Sequence, residues 1–201
     1  MTNTIKSFTN KNGALRLYDS TATPYYLEIL FTGGDFTGPV GRPAVEEVLV
    51  LDRQNTTANM HYIEGSDARI MEPQGISFSG RAFDYAPCRF LLELLRGETT
   101  INSLTMVTTK GDTQNDSANA NPAFADSSKT TYNVEMRFTG AGSGSYEHLK
   151  LTYNEVYFEP SEQSVNEGED AVTINMSGQC YGTIVHATGA FTTGVDIASG
   201  Y

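Results

Sequence analysis

Apolar side chains recur at every second position along most of this chain, and that period limits it to a β architecture. Leu15 and Leu17 alternate with Arg16 and Tyr18; Tyr25, Leu27, Ile29 and Phe31 alternate with Tyr26, Glu28 and Leu30. The beat returns at Ile76 and Phe78 against Ser77 and Ser79, and at Tyr132, Val134, Met136 and Phe138 against Asn133, Glu135 and Arg137. It is clearest where Val172, Ile174 and Met176 oppose Thr173, Asn175, Ser177 and Gln179, with Gly178 and Cys180 continuing the inward row. Successive strand residues point to opposite faces, so each run is a strand with one buried side. Residues 148–158 form a long strand whose apolar phase slips near Glu155 and Val156, which predicts a β-bulge there. Residues 70–82 and 101–109 also read as strands. Residues 45–52, apolar on both faces from Val48 to Leu51, read as a central strand covered twice.

One segment keeps a different period. From Pro87 to Arg96, the residues Phe90, Leu91, Leu94 and Leu95 share a stripe while Arg89, Glu93 and Arg96 face away. Pro87 suits the first helical turn and Gly97 the position just past the end, so a single amphipathic helix over about 87–96 is expected. About ten residues of helix are marginal alone, so it must lean on a sheet. Between the strands, residues 32–44, 53–69, 110–131, 140–144 and 159–170 are rich in Gly, Pro and polar residues and read as loops. The ends, residues 1–12 and 187–201, read as terminal arms. Ile76-Ser-Phe-Ser-Gly80 echoes Ile174-Asn-Met-Ser-Gly178, either as a short duplication or by chance. No linker separates two cores. The expected fold is all-β: one antiparallel sandwich or barrel domain over residues 1–201, with one helix, long loops and arms.

Charge narrows the function. The 201 residues carry 13 Lys and Arg against 24 Asp and Glu, a net charge of −11. Gripping nucleic-acid phosphates or anionic lipid needs clustered cations, which this balance argues against. No stretch approaches the ~20 apolar residues of a membrane span. The polar start lacks an apolar secretory segment, so the expected compartment is a cytoplasm. Cys88 and Cys180 fit no metal spacing and are expected as reduced, buried thiols.

The search for chemistry finds no catalytic, cofactor or metal motif. His61, His148 and His186 have no Ser elbow or partner pattern around them. Gly140-Ala-Gly-Ser-Gly144 lacks the third glycine of a dinucleotide loop and precedes a strand, leaving no helix N-terminus for a phosphate. Glu159, Glu162, Glu167, Glu169 and Asp170, like Asp112 to Asp116, lack calcium-loop spacing. No cofactor is expected and no enzyme.

Three features together resemble the tail tube (major tail) proteins of long-tailed bacteriophages. They are the block Leu149-Lys-Leu-Thr-Tyr-Asn-Glu-Val-Tyr-Phe-Glu159 followed by the Glu167–Asp170 turn and Val172 to Tyr181, the single helix between strands, and the pair of long loops. The resemblance implies a β-sandwich subunit of the virion tail, assembled in the host cytoplasm into hexameric rings that stack into a tube. Rings would close their sheets into one inner barrel, and a loop (residues 32–44 or 53–69) and the arms would reach the next ring. A tape measure protein and a tail terminator would be its partners. DNA would pass without specific binding along an acidic or neutral bore that gives its phosphates nothing to hold, at the short range of about 8 Å that salt allows. Within strands, Glu28, Glu135 and Glu155 are the candidate lumen-facing acids; the serine and amide faces at Ser77/Ser79 and Thr173–Gln179 suit such a wall or a subunit contact. The alternatives are another tail ring component, a terminator or baseplate ring, or a β-sandwich carbohydrate- or receptor-binding module using Tyr25, Tyr26, Tyr62 and Tyr85 in place of the absent Trp. An acid-dependent glycosidase using Glu155 or Glu159 is a third rival.

Overall fold

A computed structural model describes residues 14–29, 35–42, 50–51, 60–61, 73–81, 85–106, 130–139, 148–167 and 172–199. In chain order these give β1 (Ala14–Tyr18), β2 (Tyr25–Ile29), β3 (Val50–Leu51), β4 (Met60–His61), β5 (Gln74–Arg81), α1 (Tyr85–Leu95), β6 (Thr100–Ile101), β7 (Leu104–Thr105) and β8 (Thr131–Thr139). Then follow β9 (His148–Tyr157), β10 (Ser164–Glu167), β11 (Val172–Cys180), β12 (Ile184–Thr188) and β13 (Val195–Asp196). The class is all-β, as the alternation requires.

Nine strands join one sheet in the order β10-β11-β9-β8-β1-β2-β13, with β12 added to β9 and β5 to β11. Its pairings are antiparallel except β13 with β2, where Val195 and Asp196 run parallel to Tyr25 and Tyr26. The alternation places Leu15, Leu17, Leu27, Ile29, Val134 and Met136 on the inner face of one limb, and Ile76, Phe78, Ile174 and Met176 on that of the other; both limbs feed one buried cluster.

The two limbs meet through a bulge where the phase slip predicts it. Tyr132 stands opposite Val156 and Val134 opposite Tyr153, so Asn154 and Glu155 together face Asn133 alone. Glu155 takes a φ of +54°, and its N–H donates to Asn133 Oδ1 at 3.0 Å. The side-chain oxygen supplies the acceptor that the broken ladder removes. Before the bulge, β9 carries β12 on its free edge; beyond it, Val156 and Tyr157 pair with Cys180 and Gln179 of β11. The sheet forks here.

Helix α1 begins two residues before the expected start, with Pro87 still inside the first turn, where an N–H has no helical acceptor. Its end follows expectation. Gly97 has φ +87°, its N–H donates to Leu94 O at 2.9 Å, and Glu98 N–H reaches Glu93 O at 3.0 Å, the paired bonds of a Schellman stop. Phe90, Leu91, Leu94 and Leu95 are buried, as their stripe predicts, and the helix packs on β2. Tyr132 on β8 donates its hydroxyl to the terminal carbonyls Leu94 O and Glu98 O at 3.2 and 3.1 Å, tying helix to sheet.

The echoing pentapeptides turn out to be hydrogen-bonded partners. Ile76 lies opposite Gly178, Ser77 opposite Ser177, Phe78 opposite Met176, Ser79 opposite Asn175 and Gly80 opposite Ile174. Each isoleucine thus faces the other strand's glycine. At Gly178 the missing side chain makes room for Phe158, whose ring atoms would lie 2.9 Å from any Cβ there. Similar environments, met by an antiparallel pair about its own centre, explain the similar sequences.

Along its other edge β11 has three successive partners. Residues 172–175 pair with β10, and 179–180 with β9. Between them Gln163 acts as a substitute strand: its Nε2 donates to Ser177 O at 2.7 Å, and its Oε1 accepts Ser177 N–H at 3.0 Å. Gln163→Ala strands both backbone groups and is expected to lower the unfolding free energy by about 1–2 kcal/mol, read as a shifted urea midpoint; no shift would show that water replaces the amide freely.

Several expectations change. Within the acidic stretch expected as loop, Pro160–Glu162 forms a 3-10 turn and Ser164–Glu167 the strand β10. In place of the strand expected over 101–109, the described residues 100–105 form a tight hairpin of β6 and β7, because Asn102 and Ser103 both take positive φ (50° and 61°). β8 is buried on both faces from Thr131 to Met136; of the strand expected over 45–52, Val50–Leu51 pairs with Met60–His61 in a two-stranded ribbon, and its expected double covering lies outside the described residues. The C-terminal arm is not free: β12 pairs with β9, β13 with β2, and Ile197 is fully buried. Backbone pairing and an apolar anchor near the end recruit what composition alone reads as a polar tail. The N-terminal arm and loops 110–131 and 140–144 fall outside the described residues, save 130–131, as does most of 53–69.

Candidate functional site

The outward face of β5, β11 and β10 is built by alternation: with the apolar row turned inward, Ser77, Ser79 and Arg81 lie across from Ser177, Asn175 and Thr173. Ser79 Oγ donates to Asn175 Oδ1 at 2.7 Å, and Asn175 Nδ2 reaches Ser164 Oγ on β10 at 3.4 Å. A shallow cleft opens here, its polar lining supplied by Asp35, Ser77, Ser79, Glu162, Asn175 and Ser177. Asp35 is carried in by residues 35–42. That segment is fixed by a reciprocal backbone pair between Thr37 and Ser77 (2.8 and 2.9 Å), by Phe36 against the rings of Phe138 and Tyr153, and by Tyr153 Oη donating to Pro39 O at 3.2 Å. Arg42 closes it, donating to the carbonyls of Tyr181 and Gly182 at the β11–β12 turn. The face is therefore hydroxyls and amides rimmed by two carboxylates, with Arg81 as its cation.

The predicted acids are dispersed. Glu28 on β2 and Glu135 on β8 both stand opposite Arg16 of β1, on the outward face of the other limb. Glu28 accepts from Arg16 Nε and Nη2, each at 2.8 Å, with its side chain 38% exposed. Glu135 is 1% exposed: Lys150 Nζ lies 2.7 Å from one oxygen, and Thr192 donates through N–H (2.9 Å) and Oγ1 (3.0 Å). Its carboxylate is sealed by its own C-terminal segment, so it offers no charge to a lumen in this conformation. Glu155 sits at the bulge, away from both. Alternation identifies these acids as outward but does not show which outward face another segment covers. The exposed acids beside the polar face, Asp35 and Glu162, lie in irregular segments with no period to mark them.

The histidines do not converge. His148 begins β9, its Nδ1 buried without a hydrogen-bond partner; His186 is exposed on β12; and His61 belongs to the separate ribbon. Among the described residues no group of three His, Cys, Asp or Glu is placed to hold a metal ion. Among them, too, no helix is long and apolar enough to cross a membrane.

No family model matches this chain, and no curated protein matches its sequence. Among solved structures it is similar to a chain of the anti-feeding prophage baseplate, determined by cryo-EM and sixfold symmetrised. The identity is 9%, the match covers 93% of this chain and 97% of that one, and the TM-score is 0.43.

Buried hydroxyls and a thiol near the fork make the fold alkali-sensitive. Burial pushes the Cys180 thiol up to about 11 against the opposing pull of Arg42, and pushes Tyr153 and Tyr18 up to about 12. In the unfolded chain these groups ionise near ~8.5 for Cys and ~10 for Tyr. Their contribution to stability is therefore intact below that range and is lost as pH rises through 11 to 12. Denaturant midpoints are expected to hold from pH 7 to 8 and then fall steadily. A flat profile to the alkaline limit would contradict the burial of these groups.

Proposed function

We propose that this chain is a non-enzymatic structural subunit of a phage-type tail, one that forms hexameric rings and stacks them into the tube through which DNA passes. The sequence resemblance names that role, and one structural observation carries it: the described cations are largely engaged inside the chain while acids and hydroxyls are presented outward. Arg16 pairs with Glu28, Lys150 with Glu135 and Arg89 with Glu93, and Arg42 is bound to backbone carbonyls. The β5–β11–β10 face keeps Ser, Asn and Thr, edged by the exposed Asp35, Glu162 and Glu167, with the exposed Arg81 as its one described cation. DNA presents about one negative charge per 1.7 Å of axis, and a wall on which three exposed carboxylates outnumber one arginine gives those phosphates little to hold. We assign this face to the bore.

Ring closure needs unpaired strand edges, which are ready templates for another chain. Among the described residues the outer edge of β5 carries, beyond its bond to β11, a single bridge, from Thr37. The outer edge of β10 lies on a fully exposed strand. Negative-stain electron microscopy of the purified chain is expected to show rings and stacked tubes. Single rings that never stack would favour the terminator or baseplate reading, and a chain that stays monomeric at high concentration would overturn the proposal.

A further inference from the structure

The outward face of the β1–β2–β8–β9 limb carries a charged row that the chain itself covers. The Arg16 guanidinium lies over the rings of Tyr26 (4.0 Å) and Phe191 (4.4 Å), and that of Arg137 lies 5.9 Å from the Phe191 ring. Thr192 grips both oxygens of Glu135. The covering residues, 189–194, span two fixed points: β12, which ends at Thr188, and the anchor formed by β13 and the buried Ile197. At the anchor, Val195 N–H donates to Pro24 O at 2.8 Å and Ile197 N–H to Tyr26 O at 2.9 Å.

Between those points the character changes. No residue of 189–194 is buried, and the polar contacts that hold the segment are hydrogen bonds from Thr192 to the Glu135 carboxylate and from Arg16 Nη1 to Thr192 O (3.5 Å), with Phe191 stacked on guanidiniums. A glycine stands at each end. Gly189 has φ +112°, and a Cβ on Gly194 would come within 2.2 Å of Pro24 O. Both positions depend on the absence of a side chain, and Gly189 supplies the torsional freedom of a hinge. The fit beneath is also incomplete: Arg137 Nε is buried with no hydrogen-bond partner.

We propose that residues 189–194 form a releasable strap, clasped by Glu135 and hinged at Gly189, that gates access to the Arg16, Glu135, Arg137 and Lys150 row while the Ile197 anchor stays in place. Segments held by few buried apolar contacts open at lower free energy than core strands. Lifting the strap separates Thr192 from Glu135, leaves the Glu135–Lys150 pair intact, and brings the Lys150 amine, 17% exposed when closed, to solvent. The inference concerns the single chain and is tested on it, so it stands or falls apart from ring formation.

Hydrogen exchange of the intact chain should show the amides of 191–193 exchanging through a local opening, at least ~100-fold faster than those of Val134 and Met136 on β8. Acetylation of Lys150 by N-hydroxysuccinimidyl acetate, followed by mass spectrometry, reads the same opening. Thr192→Ala removes one prong of the clasp and should speed both processes about 3- to 10-fold; Thr192→Pro removes both prongs and should speed them further, to about 30-fold or more. Thr193→Ala, at an exposed neighbour, should change neither. If strap amides exchange only with the core strands, or if Lys150 acetylation is unmoved by Thr192→Ala, the strap does not open and the proposal fails. Thr192→Ala keeps the backbone donor, so the test stands even where the proline variant does not fold.

Discussion

Glu135→Ala is expected to lower the unfolding free energy by about 3–5 kcal/mol, the range for breaking a buried ion pair by removing one partner. The carboxylate holds together three strangers in sequence: its own strand β8, Lys150 on β9 and Thr192 in the C-terminal segment. Alanine leaves the Lys150 ammonium and two Thr192 donors without their acceptor. Because Lys150 retains some solvent contact, the loss should fall at the lower end of that range. Glu135→Gln keeps an acceptor but not the charge and should cost about half as much. Glu28→Ala is the control: the Glu28 side chain is 38% exposed, so its pair with Arg16 is screened by solvent and should contribute about 1 kcal/mol. Equal losses for Glu28 and Glu135 in urea titrations would show that the C-terminal segment does not bury the second carboxylate.

Tyr153→Ala should be about as damaging, at roughly 3–5 kcal/mol. Its side chain is fully buried before the bulge, where it meets Phe36 at 5.9 Å between ring centres and donates its hydroxyl to Pro39 O. Alanine leaves a ring-sized cavity at the fork of the sheet and frees segment 35–42 from its apolar seat. Tyr153→Phe removes only the hydroxyl bond and is expected to cost about 1 kcal/mol. The two variants should also differ locally: the amides of Thr37 and Ser77, paired with each other across the segment, should exchange faster in the alanine protein and nearly as in wild type in the phenylalanine one. Unchanged protection in Tyr153→Ala would mean the backbone pair alone holds the segment.

What the sequence made legible follows its periods. Strands with five or more alternating residues, the helix with its Gly97 stop, and the slip at Glu155 all appear where local pattern puts them, because each is decided by neighbours in the chain. Coverage is a different quantity. Glu135 alternates outward as Glu28 does, yet Thr192, 57 positions away, seals it and not Glu28. Strands of two residues such as β13 have no period to read, so composition alone reads as an arm a tail that pairing with β2 holds to the sheet. β10 was hidden by its acids: an exposed edge strand buries nothing, and Ser164–Glu167 carries only Val165 as an apolar mark. At the polar face the serines and Asn175 were visible as an outward row, while their partner Gln163 lies in an irregular segment and enters the ladder through a side chain.

The account rests on chains joining into a closed conduit whose bore is walled by the hydroxyl and amide face of β5, β11 and β10. A cryo-EM reconstruction of the assembled protein tests this most directly. The expected map has sixfold rings stacked coaxially, with Ser77, Ser79, Asn175 and Ser177 facing the bore and Asp35 and Glu162 at their margins. A bore lined by lysine and arginine side chains without acidic partners, or an assembly in which that face meets the outer solvent, would contradict it.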